Sequence, residues 1–280
     1  MKLLPACLLV FLPATLVAQS SNCCSASATQ QFALFANDDN FVASHPDPLP
    51  FHLSAERGAW VHFKTADSLD GRAYEVKASK ATNNYLIVVQ EWWGVNDYIL
   101  RMADSLQEEL KNVNVLAVDL YDGKVASTRE EAGKIMAGLK EERGHAILDG
   151  LMKYIGSSAR IGTIGWCMGG GWSMQAALAA GKRTVACVMF YGMPEKDLGR
   201  IKSLNGPVLF VFAMKDRWIN QAVVDQFQKD MKEAGKSLTV KSYDADHGFA
   251  NPSNPVFDKP ATEDSYSHAV EFLRKNLASK

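Results

Sequence analysis

The chain has 280 residues, 47% of them hydrophobic and 22% charged, with a formal net charge of −1. This is ordinary globular composition, enough for one substantial core. It leaves no basic excess to bind nucleic acid and no long block of like charge.

Lys2 is followed by an almost wholly apolar run from Leu3 to Val17, interrupted by Pro5 and Pro13. Ala18 then precedes the polar run Gln19-Ser20-Ser21-Asn22. This is the layout of a secretory signal peptide over residues 1–18, with cleavage after Ala18. The run is shorter than the ~20 residues a spanning helix needs, so no stable membrane anchor is expected. The expected localisation is secreted or periplasmic. Ser21-Asn22 before Cys23 fits a lipobox poorly, which leaves lipoprotein anchoring as a lesser alternative. Residues 19–55 are rich in Ser, Ala, Gln, Asn, Asp and Pro. They read as a mostly irregular linker ahead of a single domain over 56–280.

Of the five cysteines, Cys7 lies in the signal segment and Cys23 and Cys24 in the linker. Cys167 and Cys187 remain in the body, too few for a disulfide framework. Cys187 stands in the apolar run 185–190 and reads as a small buried hydrophobe.

The body alternates apolar runs with amphipathic stretches. Strands are expected at 72–76, 85–90, 113–119, 160–165, 185–191, 208–214 and 238–243. Helices are expected at 97–111, 128–140, 144–156, 169–181, 221–235 and 262–277. Continuous Val/Ile/Leu/Phe runs suit strands covered on both faces, and strand–helix alternation predicts a mainly parallel α/β sheet flanked by helices. A Rossmann domain would need its glycine-rich turn after the first strand; here that turn lies deep in the chain.

Ligands of such sheets meet the carboxyl ends of the strands. Glu91, Cys167, Asp216 and His247 all stand just beyond an apolar run. Cys167 lies in Gly165-Trp166-Cys167-Met168-Gly169, followed by Gly170 and Gly171. This matches the G-x-S-x-G turn that presents a nucleophile between strand and helix, with Cys in place of Ser. The glycines remove Cβ atoms that would clash in a tight turn. The N-terminus of the following helix is expected to favour a thiolate and lower the cysteine pKa. The alternative is a structural cysteine beside a glycine-rich turn.

A nucleophilic cysteine needs a base and an orienting acid. His145 precedes the turn and His268 sits inside the last helix, which leaves His247 in a post-strand loop. Asp216 follows the last long strand before it, giving the order nucleophile, acid, histidine. Asp216 could also serve as a helix cap. Asp244 and Asp246 are expected to shape the His247 loop.

These residues resemble the dienelactone hydrolase family, a branch of the α/β-hydrolases. The likeness rests on Gln90-Glu91-Trp92-Trp93-Gly94-Val95-Asn96, on the cysteine turn and on Asp246-His247-Gly248-Phe249-Ala250. Asp119-Leu120-Tyr121 is a weaker match. The resemblance implies a single α/β-hydrolase domain and a Cys167–His247–Asp216 triad. It also implies that Glu91 helps switch Cys167 to its nucleophilic form. The reaction implied is cleavage of an ester or lactone through an acyl-thioenzyme, with no metal or organic cofactor. Backbone N–H groups of Met168 and Trp92 are the expected oxyanion donors. Trp93, Trp166, Tyr121, Lys124 and Phe249 are candidate pocket residues, with core packing the alternative for the aromatic ones.

Family members acting on dienelactone hold its carboxylate with arginines. Here Phe249-Ala250-Asn251-Pro252 follows the histidine, and Tyr121-Asp122-Gly123-Lys124 supplies only a lysine. Lysine lacks the bidentate fork of arginine. The expected partner is a small-molecule ester or lactone, and a monomer is favoured. Two other readings stay open: a binding protein on a hydrolase scaffold, and a thiol redox sensor with Cys187 as resolving cysteine.

Overall fold

The structure is a computed structural model and describes residues 26–278. The expected signal segment, its cleavage site, and Cys7, Cys23 and Cys24 lie outside the described residues.

The segment expected to be an irregular linker opens with two short helices, α1 (Ala28–Ala33) and α2 (Asp39–Ala43), joined by a 3-10 turn at Leu34–Asn37. Local chemistry forms them. Ser27 and Gln30 make a reciprocal capping box on α1. The Asp38 carboxylate accepts the N–H groups of Asn40 and Phe41 at the start of α2. Phe32 and Phe41, sparse among polar neighbours, are fully buried and dock the arm onto the body. Average composition hid them.

Eight strands form one sheet. They are β1 (Ala59–Lys64), β2 (Asp70–Val76), β3 (Asn84–Val89), β4 (Asn114–Val118), β5 (Arg160–Trp166), β6 (Thr184–Phe190), β7 (Val208–Ala213) and β8 (Leu238–Tyr243). The order is β1-β2-β4-β3-β5-β6-β7-β8. β1–β2 and β2–β4 pair antiparallel, and every other pair is parallel. The seven expected strands are all present. β1 escaped notice because it is a half-exposed edge strand with no continuous apolar run. The central strands show the opposite pattern: Leu86, Ile87, Val88 and Val89 of β3 have no exposure.

The larger helices are α3 (Asp97–Leu110), α4 (Arg129–Gly138), α5 (Glu141–Ile155), α6 (Met168–Ala180), α8 (Gln221–Glu233) and α9 (Lys259–Ala278), with a short α7 (Leu198–Ser203) that was not expected. α3 buries Ile99, Leu100, Ala103, Leu106 and Leu110, one face at helical spacing. α6 is buried nearly all round, as befits the helix running back beneath the nucleophile turn.

Parallel pairing sets the ends of β3 and β5 side by side, with Val89 opposite Gly165. The residues just beyond β3, β5, β6, β7 and β8 therefore gather at one sheet edge. α6 reaches that edge only because glycines let backbones touch. A Cβ on Gly165 would lie 2.0 Å from the Gly169 carbonyl oxygen, and one on Gly169 would lie 2.3 Å from that of Gln90. Gly138, at the end of α4, has nothing within 4 Å. Gly169→Ala should therefore cost about 3 kcal/mol or more through enforced backbone displacement, while Gly138→Ala should be neutral or add about 0.5 kcal/mol. Urea unfolding of the two variants tests this; equal destabilisation would refute the backbone-contact account.

Candidate active site

Cys167 is the residue between β5 and α6, with φ 57° and ψ −124°. This left-handed conformation is costly for a side chain and persists only where the surroundings impose it. Here Cys167 N–H donates to the Phe190 carbonyl at the end of β6, and its own carbonyl accepts from Gly170 N–H. The thiol is thereby lifted toward the sheet edge and away from the helix axis.

His247 comes from the loop after β8. Its Nδ1 bonds Asp216 Oδ2 at 2.6 Å, and both side chains are buried. The other Asp216 oxygen accepts N–H groups from Trp218 and Ile219 at 2.8 and 2.9 Å. Asp216 thus caps its own loop and orients the histidine with different oxygens. Burial alone would raise its carboxyl, but the His247 charge and these donors hold it below the usual range. For His247 burial opposes protonation; the neighbouring Asp216 carboxylate and the Cys167 sulfur outweigh it and push the imidazole up to about 10. His247 Nε2 faces the thiol, near enough for the two groups to couple.

The expected lowering of the Cys167 pKa is not found. Burial pushes the thiol up, and nearby Glu91 adds to this, outweighing His247 and the Met168 N–H. The helix terminus acts in the expected direction but cannot offset desolvation of a residue with 1% exposure.

Glu91, just past β3, accepts a hydrogen bond from Asn251 Nδ2 at 2.6 Å. It keeps slight access to an adjoining cleft, yet protein packs around it densely enough that burial pushes its carboxyl up to about 7. That cleft, of about 390 Å³, is mostly apolar and is lined by Trp166, Ile99, Met102, Phe257 and Tyr266, with Arg101 at its wall.

Of the expected oxyanion donors, Met168 directs its backbone N–H at the Cys167 sulfur. Trp92 follows Glu91 in the turn after β3 and is fully buried. Among the pocket candidates, Trp166 lines the cleft, and the Tyr121 hydroxyl donates to Met168 Sδ at 3.0 Å beside the nucleophile turn. Trp93 packs on Trp92, and Phe249 is core, stacked between Tyr191 and Tyr243. Lys124 lines a separate hollow with Asp67, Asp122 and Arg143, away from the triad. Trp172 packs on His145 and adds nothing to the site.

Two residues escaped the sequence reading. Tyr191 follows β6 with φ 37°, and its ring centroid lies 5.0 Å from that of His247. It passes the same post-strand test as Cys167 and could have been found by it. His45 belongs to the arm and carries no sequence signal. Its ring lies 5.3 Å from that of His247, wedged against Phe41 and Trp92. Burial, reinforced by the His247 charge, pushes it down to about 3, so it is neutral.

Cys187 does not serve Cys167 as a resolving partner. It pairs with Thr163 in the sheet, four residues before Cys167. At ~3.3 Å per residue that is roughly 13 Å along the strand, far beyond the ~7 Å limit for a disulfide. Both thiols are free.

The arrangement joins a buried thiol, a charged imidazole held by a carboxylate, a backbone donor at the sulfur and a carboxyl titrating near neutrality. These are the parts of covalent acyl transfer. Comparison with known proteins gives the family. The dienelactone hydrolase family model matches residues 70–277. "Protein usf" of Aquifex pyrophilus is 29% identical over 205 residues, covering 69% of this chain and 88% of that protein. Carboxymethylenebutenolidase of Pseudomonas sp. is 28% identical, covering 68% and 84%. Carboxymethylenebutenolidase 1 of Cupriavidus pinatubonensis is 24% identical, covering 72% and 90%. Among solved structures, a dienelactone hydrolase-like promiscuous phosphotriesterase from metagenomic libraries superposes with TM-score 0.66 at 16% identity, over 79% of this chain and 99% of that one. A Pyrococcus furiosus esterase gives 0.58 at 14% identity, over 84% and 99%. These structures share the fold. With its sheet order, glycine-rich cysteine turn and family match in agreement, the chain belongs to the dienelactone hydrolase family of α/β-hydrolases.

Proposed function

We propose that this hydrolase cleaves an ester or lactone with a Cys167–His247–Asp216 triad, and that it is exported by its N-terminal segment. The observation that carries the catalytic reading is the 2.6 Å Asp216–His247 bond beneath a thiol held at positive φ. Names borne by relatives, carboxymethylenebutenolidase among them, favour a lactone. The apolar cleft beside Glu91 favours a substrate with a hydrophobic portion. The stretch after His247 supplies Asn251, which binds Glu91, where an arginine would grip a substrate carboxylate. A carboxylate is therefore not required of the substrate. Export rests on the sequence of residues 1–18; among the described residues no helix is long and apolar enough to cross a membrane.

At rest the thiol is protonated, because it is deeply desolvated and faces a carboxyl. Ionised Glu91 opposes a second negative charge on the sulfur. Substrate binding that changes the Glu91 environment lets its carboxylate take the proton from Cys167, which also removes the charge that opposed the thiolate. The thiolate electron pair then attacks the carbonyl carbon, and the oxyanion is received by the Met168 N–H, with Trp92 N–H as the second donor. Collapse expels the alkoxide, which takes the proton from His247 Nε2; in a lactone it stays tethered to the acyl group. Water next loses a proton to His247 and attacks the thioester, and the thiolate departs. Asp216 remains ionised throughout and stabilises the imidazolium.

Hydrolysis of a short aryl ester tests the assignment. Cys167→Ala should abolish turnover, and Asp216→Asn should lower kcat on the order of 10³–10⁴-fold through loss of the histidine tautomer. Wild-type rates in Cys167→Ala would remove the nucleophile reading. Glu91 gives a second test through stability. Its folded pKa of about 7 lies above the ordinary 4.5. Its favourable contribution is thus complete below pH 4.5 and is lost as pH rises through 7. The stability of wild type minus that of Glu91→Gln should fall across that window by about 3 kcal/mol at most. A flat difference from pH 4 to 8 would show that Glu91 is not desolvated.

A further inference from the structure

We infer that His45 of the N-terminal arm completes a buried transition-metal site with Cys167 and His247, and that Zn²⁺ bound there switches the hydrolase off. One sulfur and two imidazole nitrogens lie within 4.8 Å of one another, contributed by three buried residues. The arm precedes the family match at residues 70–277, so His45 lies outside the matched region.

Each histidine is prepared as a ligand through its other nitrogen. His247 Nδ1 bonds the Asp216 carboxylate. His45 Nδ1 lies 2.7 Å from the Phe41 carbonyl oxygen, which can only accept, so Nδ1 carries the proton and Nε2 presents a bare lone pair. Carboxylate and backbone carbonyl are the usual outer partners of metal-binding imidazoles. Both Nε2 atoms are buried and lack a hydrogen-bond partner. The buried lone pair on His45 Nε2, with no donor, is costly, and a metal ion would satisfy it.

The donor set, one thiolate and two imidazoles, suits Zn²⁺. Zn–N of about 2.0–2.1 Å and Zn–S of about 2.3 Å put tetrahedral ligand atoms roughly 3.3–3.6 Å apart. The three groups need converge by less than about an ångström each, leaving the fourth position for water. Binding uses the sulfur and Nε2 lone pairs together, so the protons carried by Cys167 and by His247 Nε2 are released to solvent as Zn²⁺ binds, and no redox change occurs. The nucleophile and the base are both occupied, and the arm is fastened to the body through His45.

Metal binding stands on this geometry alone; the inhibition rests on Cys167 being the nucleophile. The two are separated by titrating mature protein carrying Cys23→Ser and Cys24→Ser with Co²⁺. One equivalent should produce a thiolate-to-cobalt charge-transfer band and a tetrahedral visible spectrum, displaced by Zn²⁺ and absent in Cys167→Ala. His45→Phe and His45→Asn, with their melting temperatures checked, should each bind at least about tenfold more weakly. Wild-type affinity in both, or no thiolate band at saturating Co²⁺, would overturn the site. A measurement needing no variant is hydrogen exchange: Zn²⁺ should slow it at residues 39–45, and unchanged exchange also counts against the site. Zn²⁺ should suppress ester hydrolysis, with recovery on adding EDTA. Retained or increased activity with the cobalt band present would overturn the inhibitory role while leaving the site in place.

Discussion

Everything at this site hangs on how closely α6 approaches the ends of β3 and β6. Gly169 lies against the carbonyls of Val89 and Gln90, and Gly170 against that of Phe190. No helix bearing side chains at those positions could come so near. The approach forces Cys167 into its left-handed conformation and holds it there by hydrogen bonds on both sides. Strain at one residue is thus imposed by backbone packing around it, which is the usual origin of strained conformations at reactive groups. The parallel register then brings the ends of the neighbouring strands, with Glu91 and Tyr191, to the same spot. Asp216 and His247 arrive from further along the edge.

Desolvation governs the electrostatics of this cluster. Burial is the leading influence on Cys167, Glu91, Asp216 and His247 alike. It acts against charge in every case, and only the Asp216–His247 pair gathers enough opposing interaction to stay ionised. The thiol does not. A thiol kept protonated in this way is protected from oxidation and alkylation, because the thiolate is the form that reacts. Cys187 plays no part in this: it is held within the sheet beside Ser173 and has no path to Cys167.

Most of the sheet was legible because strands buried on both faces write continuous apolar runs, as β3 and β7 do. Cys167, Asp216 and His247 were legible because parallel sheets place ligand-facing residues just after such runs, and because the tight turn at Cys167 demands glycines at fixed spacing. What stayed hidden had weaker local signatures. β1 is half exposed and draws its stability from pairing with β2. The arm's helices are too short for periodicity to show, and they are fixed by contacts distant in sequence, such as Asp38 with the Trp218 indole N–H at 3.0 Å. Whether the thiol would ionise depends on the balance of burial against neighbouring charges, which only the three-dimensional packing reveals.

The arm has a kinetic consequence. Cys167 has 1% exposure and His247 4%, and Phe32, Phe41 and His45 of the arm pack against the His247 ring. Where a substrate has to displace the arm to reach that buried pair, each turnover contains an opening and a reclosing. The turnover number then has a ceiling set by how fast a stretch of some twenty residues detaches, however fast the bond-breaking itself is. Two chains with identical triads and different arms would differ in speed for reasons that no comparison of their catalytic residues could reveal.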